Sequence, residues 1–344
     1  MEAKEFLKIL DAALGVSGNE HEVRSEIKNL FGKYCDSVST DSLGSVIGLK
    51  KGTDSSAPSV MIEAHMDELG LMVSEITEGG FLKFVTIGGF DPKVLPGTEV
   101  TVHAEQKLFG VIGAMPPHLV TDRSKASDID DLCVDIGLSK AQAEEKVKVG
   151  DIVTINTSYT KLCGDYVAAR SIDDRGGLAA VLRALDLLKD TKIKNDIYAV
   201  ATVQEELGLR GARTSAAKLQ PDFAIAIDVT HGKSNGVLEE AFDCGKGTVI
   251  TMGPNLDRKL TKKMIEIAQN NSIDIQKEAC AGNTGTDAWE IQVSGRGIRT
   301  ALLSIPLRYM HSNYEVCNLK DIESTAQLVA KVVSELKGGE DLCF

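Results

Sequence analysis

Four short apolar runs constrain this chain more than any other feature: VMIEA (60–64), IYAVAT in an expected strand over 196–203, FAIAID (223–228) and TALLS in an expected strand over 299–304. Runs this short suit strands better than helices, and their continuous apolar character marks strands buried inside a sheet. Between and after them the apolar periodicity predicts helices over 174–189, 257–270 and 318–337. Strand and helix in alternation point to an α/β domain.

From about residue 70 to 162 the texture changes. Short β-like runs, FLKFVTIGG, EVTVHA, KLFGVIGAM and DIVTI, are punctuated by Gly and Pro, with a polar stretch over 117–146. The expected organisation is an α/β domain made of 1–69 and 163–344, split by an inserted β domain at 70–162. Near the start, Ser17 and Glu20 are spaced as a capping box for the helix that carries Val23, Ile27 and Leu30.

Polar residues sit just beyond the buried strands. His65 and Asp67 follow VMIEA, Glu205 and Glu206 follow IYAVAT, Asp228 ends FAIAID, and His311 follows TALLSIPLRYM. Open α/β sheets bind ligands outside the carboxyl ends of their strands, so these residues can converge on one crevice. Each has a bland alternative: HxD is a weak motif, Asp173 and Asp174 can cap a helix, Asp228 can start a turn, and His311 can be a hydrogen-bonded strand-end histidine. Taken together they form a nitrogen and oxygen donor set suited to divalent metal ions sharing a carboxylate.

Other motifs carry less. His21 and Glu22 lack the second histidine of HExxH and fit an exposed helix face; Gly88 and Gly89 fit a turn better than a phosphate loop. His118 fits a loop, and Trp289 core packing.

AHMDELGLMV, SIDDRGG, VQEELGLRGA, IAIDVT and IPLRYMHS, in this order, closely resemble the M42 family of metallo-aminopeptidases. That family includes glutamyl and leucyl aminopeptidases, and some members carry an endoglucanase name. The resemblance implies a zinc-peptidase-like mixed sheet flanked by helices, with an inserted β-barrel dimerisation domain. It implies two divalent metal ions per subunit, zinc or cobalt: His65 and Asp228 on one, Glu206 and His311 on the other, and Asp173 bridging them. By the same resemblance Asp67 orients His65, Glu205 is the general base, and the Asp173–Asp174 bond is cis. The implied substrates are short peptides. The implied assembly is a homo-oligomer, a tetrahedral dodecamer of dimers, with the 117–146 loop near a neighbour's site.

The chemistry also stands without the family. Two metal ions can activate a shared water and polarise a carbonyl, while a free carboxylate moves the proton: amide hydrolysis. A glycoside hydrolase using Glu205 and Glu206 is the alternative, although such enzymes require only a spaced carboxyl pair and no histidines. A metal-binding scaffold without catalysis would have no use for Glu205. The net charge of −12 disfavours nucleic acid and anionic membrane as partners. Seven scattered cysteines without a CxxC pair, and a start that lacks a signal-peptide pattern, point to a cytoplasmic protein with reduced thiols.

Overall fold

The computed structural model describes residues 1–116, 118–119, 128–236 and 241–336. The chain opens with α1 (Ala3–Asp11), α2 (His21–Phe31), β1 (Ser37–Thr40), β2 (Val46–Lys50) and β3 (Val60–His65). It then builds β4 (Gly70–Ile76), β5 (Leu82–Ile87), β6 (Glu99–His103), β7 (Lys107–Gly113), β8 (Cys133–Asp135), α3 (Lys140–Lys146) and β9 (Ile152–Ile155). Next come β10 (Thr160–Lys161), β11 (Tyr166–Ala169), α4 (Ile172–Leu187), β12 (Ile197–Thr202), α5 (Arg210–Leu219) and β13 (Phe223–His231). The last elements are β14 (Thr248–Met252), α6 (Arg258–Asn270), β15 (Ile275–Ala279), α7 (Ala288–Ile291), β16 (Arg299–Arg308), β17 (Glu315–Asn318) and α8 (Leu319–Glu335).

The four apolar runs are the centre of one large mixed sheet. β3 lies between β12 and β13, parallel to both, with His65 level with Thr202 and Glu63 level with Ala226. β13 in turn runs parallel to β16, placing Asp228 beside Ser304. Because these four strands share a direction, their carboxyl ends meet at one edge. Antiparallel strands flank them, β2 on β12 and β17 on β16. Every residue of β3 is buried, as expected where helices cover both faces. On one face α1, α2, α4, α6 and α8 supply Leu7, Ile27, Leu182, Met264 and Val329. On the other, Ala212, Ala216 and Ile291 from α5 and α7 pack against Met61, Val200 and Leu302.

Between β3 and β10 the chain forms a closed antiparallel barrel in the order β4-β5-β8-β7-β6-β9. Alternate residues point inward, so Leu71, Val73, Leu82, Val100, Ile112 and Val134 make a second core of their own. The fold is thus the expected mixed α/β sheet flanked by helices with a β-barrel inserted. The resemblance also assigns dimerisation to this barrel.

Three local expectations need correction. Glu20, not Ser17, is the N-cap of α2, and it makes no side-chain cap bond; its carboxylate accepts from Gly18 N–H at 2.7 Å instead. The chain reverses at Gly18 with φ +84°, and Ser17 N–H is committed to the Glu68 carbonyl at 3.0 Å. Trp289 is half-buried rather than part of the core. Of the loop expected over 117–146, residues 117 and 120–127 lie outside the described residues, while the later part forms β8 and α3.

One buried network joins the two parts of the α/β domain at the strand mouths. Glu68, just past β3, meets Arg170 at 2.7 Å and Arg175 at 3.1 Å. Arg175 is fully buried and also donates to the carbonyls of Leu10 and Ala13. Burial alone would raise the Glu68 carboxyl, but Arg175 and Arg170 outweigh it and hold it down at about 2. A carboxylate depressed below its usual 4.5 contributes stability that is complete above that value and is lost as pH falls toward about 2. Glu68→Gln leaves two guanidinium groups short of a partner, so it is expected to cost about 3–5 kcal/mol. Urea denaturation at neutral pH measures the loss. The same titration at lower pH should show the wild type approaching the variant; a constant gap would exclude this ion network as the cause.

Candidate metal centre

Several elements deliver a donor to the same edge of the sheet. His65 closes β3, Asp228 lies within β13, and Asp173 begins α4. Glu205 and Glu206 occupy the turn after β12, where Gln204 adopts φ 57° and Gly208 N–H donates to the Glu205 carbonyl at 2.8 Å. His311 sits in the turn between β16 and β17, with φ 60°. The Asp173–Asp174 peptide is cis, in agreement with the family pattern.

The two oxygens of Asp173 face two histidines. Oδ1 lies 3.1 Å from His65 Nε2, and Oδ2 lies 3.3 Å from His311 Nε2. His311 Nε2 is also 3.5 Å from Glu206 Oε1. His65, Asp173 and Glu206 offer ligand atoms all within 4.8 Å of one another, and so do His65, Asp174 and Asp228. Asp174 thus has two aspects: Oδ1 caps the first turn of α4 by accepting from Gly177 N–H at 3.0 Å, while Oδ2 is buried with no hydrogen-bond partner.

Asp67 touches more than the His65 ring it is expected to orient. Its carboxylate accepts from Glu205 N–H at 3.0 Å and Glu206 N–H at 3.2 Å, pinning the backbone of both glutamates. The His65 ring reaches the Asp67 carbonyl oxygen at 3.1 Å and its carboxylate only at 3.6 Å. All seven residues singled out in the sequence, His65, Asp67, Asp173, Glu205, Glu206, Asp228 and His311, therefore meet at one place.

Several residues there carried no motif. Glu315 accepts from the backbone N–H groups of Asp173 and His311 at 2.9 and 3.0 Å. Below the site, Thr202 Oγ1 stands 2.8 Å from Glu63 and 2.6 Å from Asp287. One hydroxyl hydrogen cannot serve two carboxylates, so one of that pair holds a proton. A charge inside VMIEA was the visible signal for Glu63. Gly88 and Gly89 of the barrel also reach the site: a Cβ on Gly88 would strike Leu69 and lie 3.5 Å from Glu206, and one on Gly89 would lie 3.5 Å from His311 Nδ1.

Crowded acids set the electrostatics. Burial, reinforced by the neighbouring carboxylates, raises Asp174 and Asp228 far above their usual range and brings Glu206 to about 7 and Glu205 to about 11. His311, hydrogen-bonded to Asp173, is raised to about 9. For His65, burial lowers the pKa but its contacts with Asp173 and Asp67 prevail and raise it. Asp173 alone is lowered: burial opposes this, and the two histidines override it. Acids that retain protons and histidines that stay charged mark a site short of positive charge. Hard oxygen donors and imidazoles around an orphaned carboxylate oxygen fit divalent metal ions.

Residues 44–328 match the family model for M42 glutamyl aminopeptidase. The chain is 38% identical over 341 residues to a lysyl aminopeptidase of Pyrococcus furiosus, covering 97% of each. Its structure is similar to that of a TET aminopeptidase from a marine sediment archaeon of the Thaumarchaeota, with TM-score 0.93, 33% identity, and 99% of this chain and 98% of that chain covered. It is also similar to the TET1 peptidase of Pyrococcus horikoshii, which assembles into a tetrahedron or a large octahedral shell, with TM-score 0.85, 35% identity, and 97% and 100% covered.

Raised carboxyls and histidines hold protons in the cation-free protein at pH 7, so uptake of zinc or cobalt is expected to release protons. It should also raise Tm, by the equivalent of about 2.7 kcal/mol at a hundredfold excess over Kd. Calorimetry in buffers of different ionisation heat, paired with thermal denaturation, checks both. Cation addition without proton release or a Tm shift would exclude this cluster as a metal centre.

Proposed function

The chain belongs to the M42 peptidase family, and from that premise we propose that it is a metal-dependent aminopeptidase releasing N-terminal residues from short peptides. Release of the N-terminal residue is supported by the family and its aminopeptidase relatives. The observation that carries the metal assignment is Asp173, whose two oxygens face His65 and His311. In this assignment His65 and Asp228 would hold one divalent ion, Glu206 and His311 would hold a second, and Asp173 would serve both. The chemistry these residues would recruit with such ions is a water of lowered pKa and a polarised scissile carbonyl.

Glu205 is the proposed general base. It belongs to neither group of converging ligand atoms, and Asp67 pins its backbone beside that of Glu206. It takes a proton from the attacking water and returns it to the departing amine. Asp67 keeps Glu205 and Glu206 in fixed relation, so the base and a ligand cannot move independently. A glycosidase would leave His65, His311, Asp173 and Asp228 without a role.

Glu205→Gln is expected to lower kcat by about 10²–10⁴-fold while cation uptake is unchanged. Aminoacyl p-nitroanilides of lysine, glutamate and leucine serve as substrates, the first because of the name of the Pyrococcus furiosus relative. Wild-type turnover in the variant would remove Glu205 as base, and activity indifferent to EDTA would remove the metal mechanism.

We further propose that the barrel, within the inserted segment 70–162, forms a dimer and that dimers build a tetrahedral dodecamer with its sites facing inward. What supports this is the apolar outer strip of the barrel. Phe81 and Val85 on one side of β8, and Phe109 and Val111 on the other, are 41%, 43%, 59% and 37% exposed. The TET1 relative assembles into closed shells. Multi-angle light scattering should give a multiple of 36.9 kDa, and Phe109→Asp should shift it to smaller species. A wild-type mass of one chain would overturn the assembly. A cytoplasmic location completes the proposal, consistent with free thiols at the six described cysteines.

A further inference from the structure

We propose that Glu315 is a positioning residue that sets the spacing between the two ends of the metal centre, an inference that rests on the dinuclear assignment above. Glu315 begins β17 and is 2% exposed. Its carboxylate is divided between two loops: Oε2 accepts from Asp173 N–H at 2.9 Å and Oε1 from His311 N–H at 3.0 Å. Neither group of converging ligand atoms includes it. It binds the main chain that carries the ligands.

Both N–H groups need such a partner. Asp173 stands at the start of α4 with non-helical backbone angles, φ −75° and ψ 108°, so its N–H has no acceptor within the helix. His311 is held at φ 60° in a turn, a conformation that a non-glycine residue keeps only when its surroundings enforce it. One rigid carboxylate satisfies both, and β17 pairs Glu315 with Ala169, at the end of the strand leading to Asp173. The distance between the shared carboxylate and His311 is thereby set by a single side chain. Glu315 makes no hydrogen bond to His65 or Asp228. Because Asp173 is shared, the loss of Glu315 should weaken both ions, and more strongly the one assigned to Glu206 and His311, since His311 loses its own backbone anchor as well.

Glu315→Gln is the test, because it keeps the shape but turns one acceptor into an NH2 group facing an N–H. Cobalt is titrated into the cation-free full chain against a chromophoric chelator, with the visible cobalt spectrum and Tm recorded in parallel. The expected result is a loss of about 10–100-fold in affinity for one equivalent of cobalt. The other equivalent should weaken distinctly less, and kcat should recover with excess cobalt. If Glu315→Gln does not fold, Glu315→Asp, which keeps the charge and shortens the reach, is titrated instead, with the same expectation. Equal affinities in variant and wild type, even with a lowered Tm, overturn the inference, since that is the signature of a merely structural residue. A uniform weakening of both equivalents also overturns it. A wild-type chain that binds no cobalt overturns the dinuclear assignment itself, and this inference with it.

Discussion

Negative charge concentrated at the carboxyl ends of four parallel strands is the constraint on which the rest of this structure depends. Asp67, Asp173, Asp174, Glu206, Asp228 and Glu315 gather around two histidines, and most of them are nearly excluded from solvent. Carboxylates desolvated together either take up protons or meet cations. The two histidines offset only part of it, and Arg175, although next to Asp174 in sequence, turns away to Glu68 and the carbonyls of Leu10 and Ala13. The charge deficit is left for ions from outside.

Around that deficit the backbone is held by carboxylates that are not counted among its ligands. Asp67 grips the N–H groups of Glu205 and Glu206, and Glu315 grips those of Asp173 and His311. Asn313 extends the same principle to the barrel by donating to the Val94 carbonyl and Thr98, both at 2.6 Å. The turn bearing His311 is therefore tied to the barrel as well as to the sheet. The barrel also forms a wall of the site, through Gly88 and Gly89.

Much of this was legible in the residues. Continuous apolar runs marked β3, β12, β13 and β16, and the polar residue just past each run marked the site, because strand direction puts all carboxyl ends at one edge. Less was legible where no periodic signal exists. β8 is three residues long inside a polar stretch, and β17 is a four-residue strand of which one partner, β11, lies far away in sequence. Glu315 carries no motif because its work is done on other residues' backbones. The Ser17 capping box failed for a related reason: long-range bonding of Ser17 N–H to the Glu68 carbonyl overrode a local pattern.

The sequence by itself determined the α/β class, the insertion of a β unit, and which residues could bind metal, since burial, strand period and donor chemistry are properties of short segments. Tertiary structure decided which oxygen faces which nitrogen, that Asp67 holds two glutamates, and that one carboxylate joins two loops 138 residues apart in number between Asp173 and His311. Those facts depend on register and on distances between segments remote in the chain. No local pattern carries such distances; packing sets them.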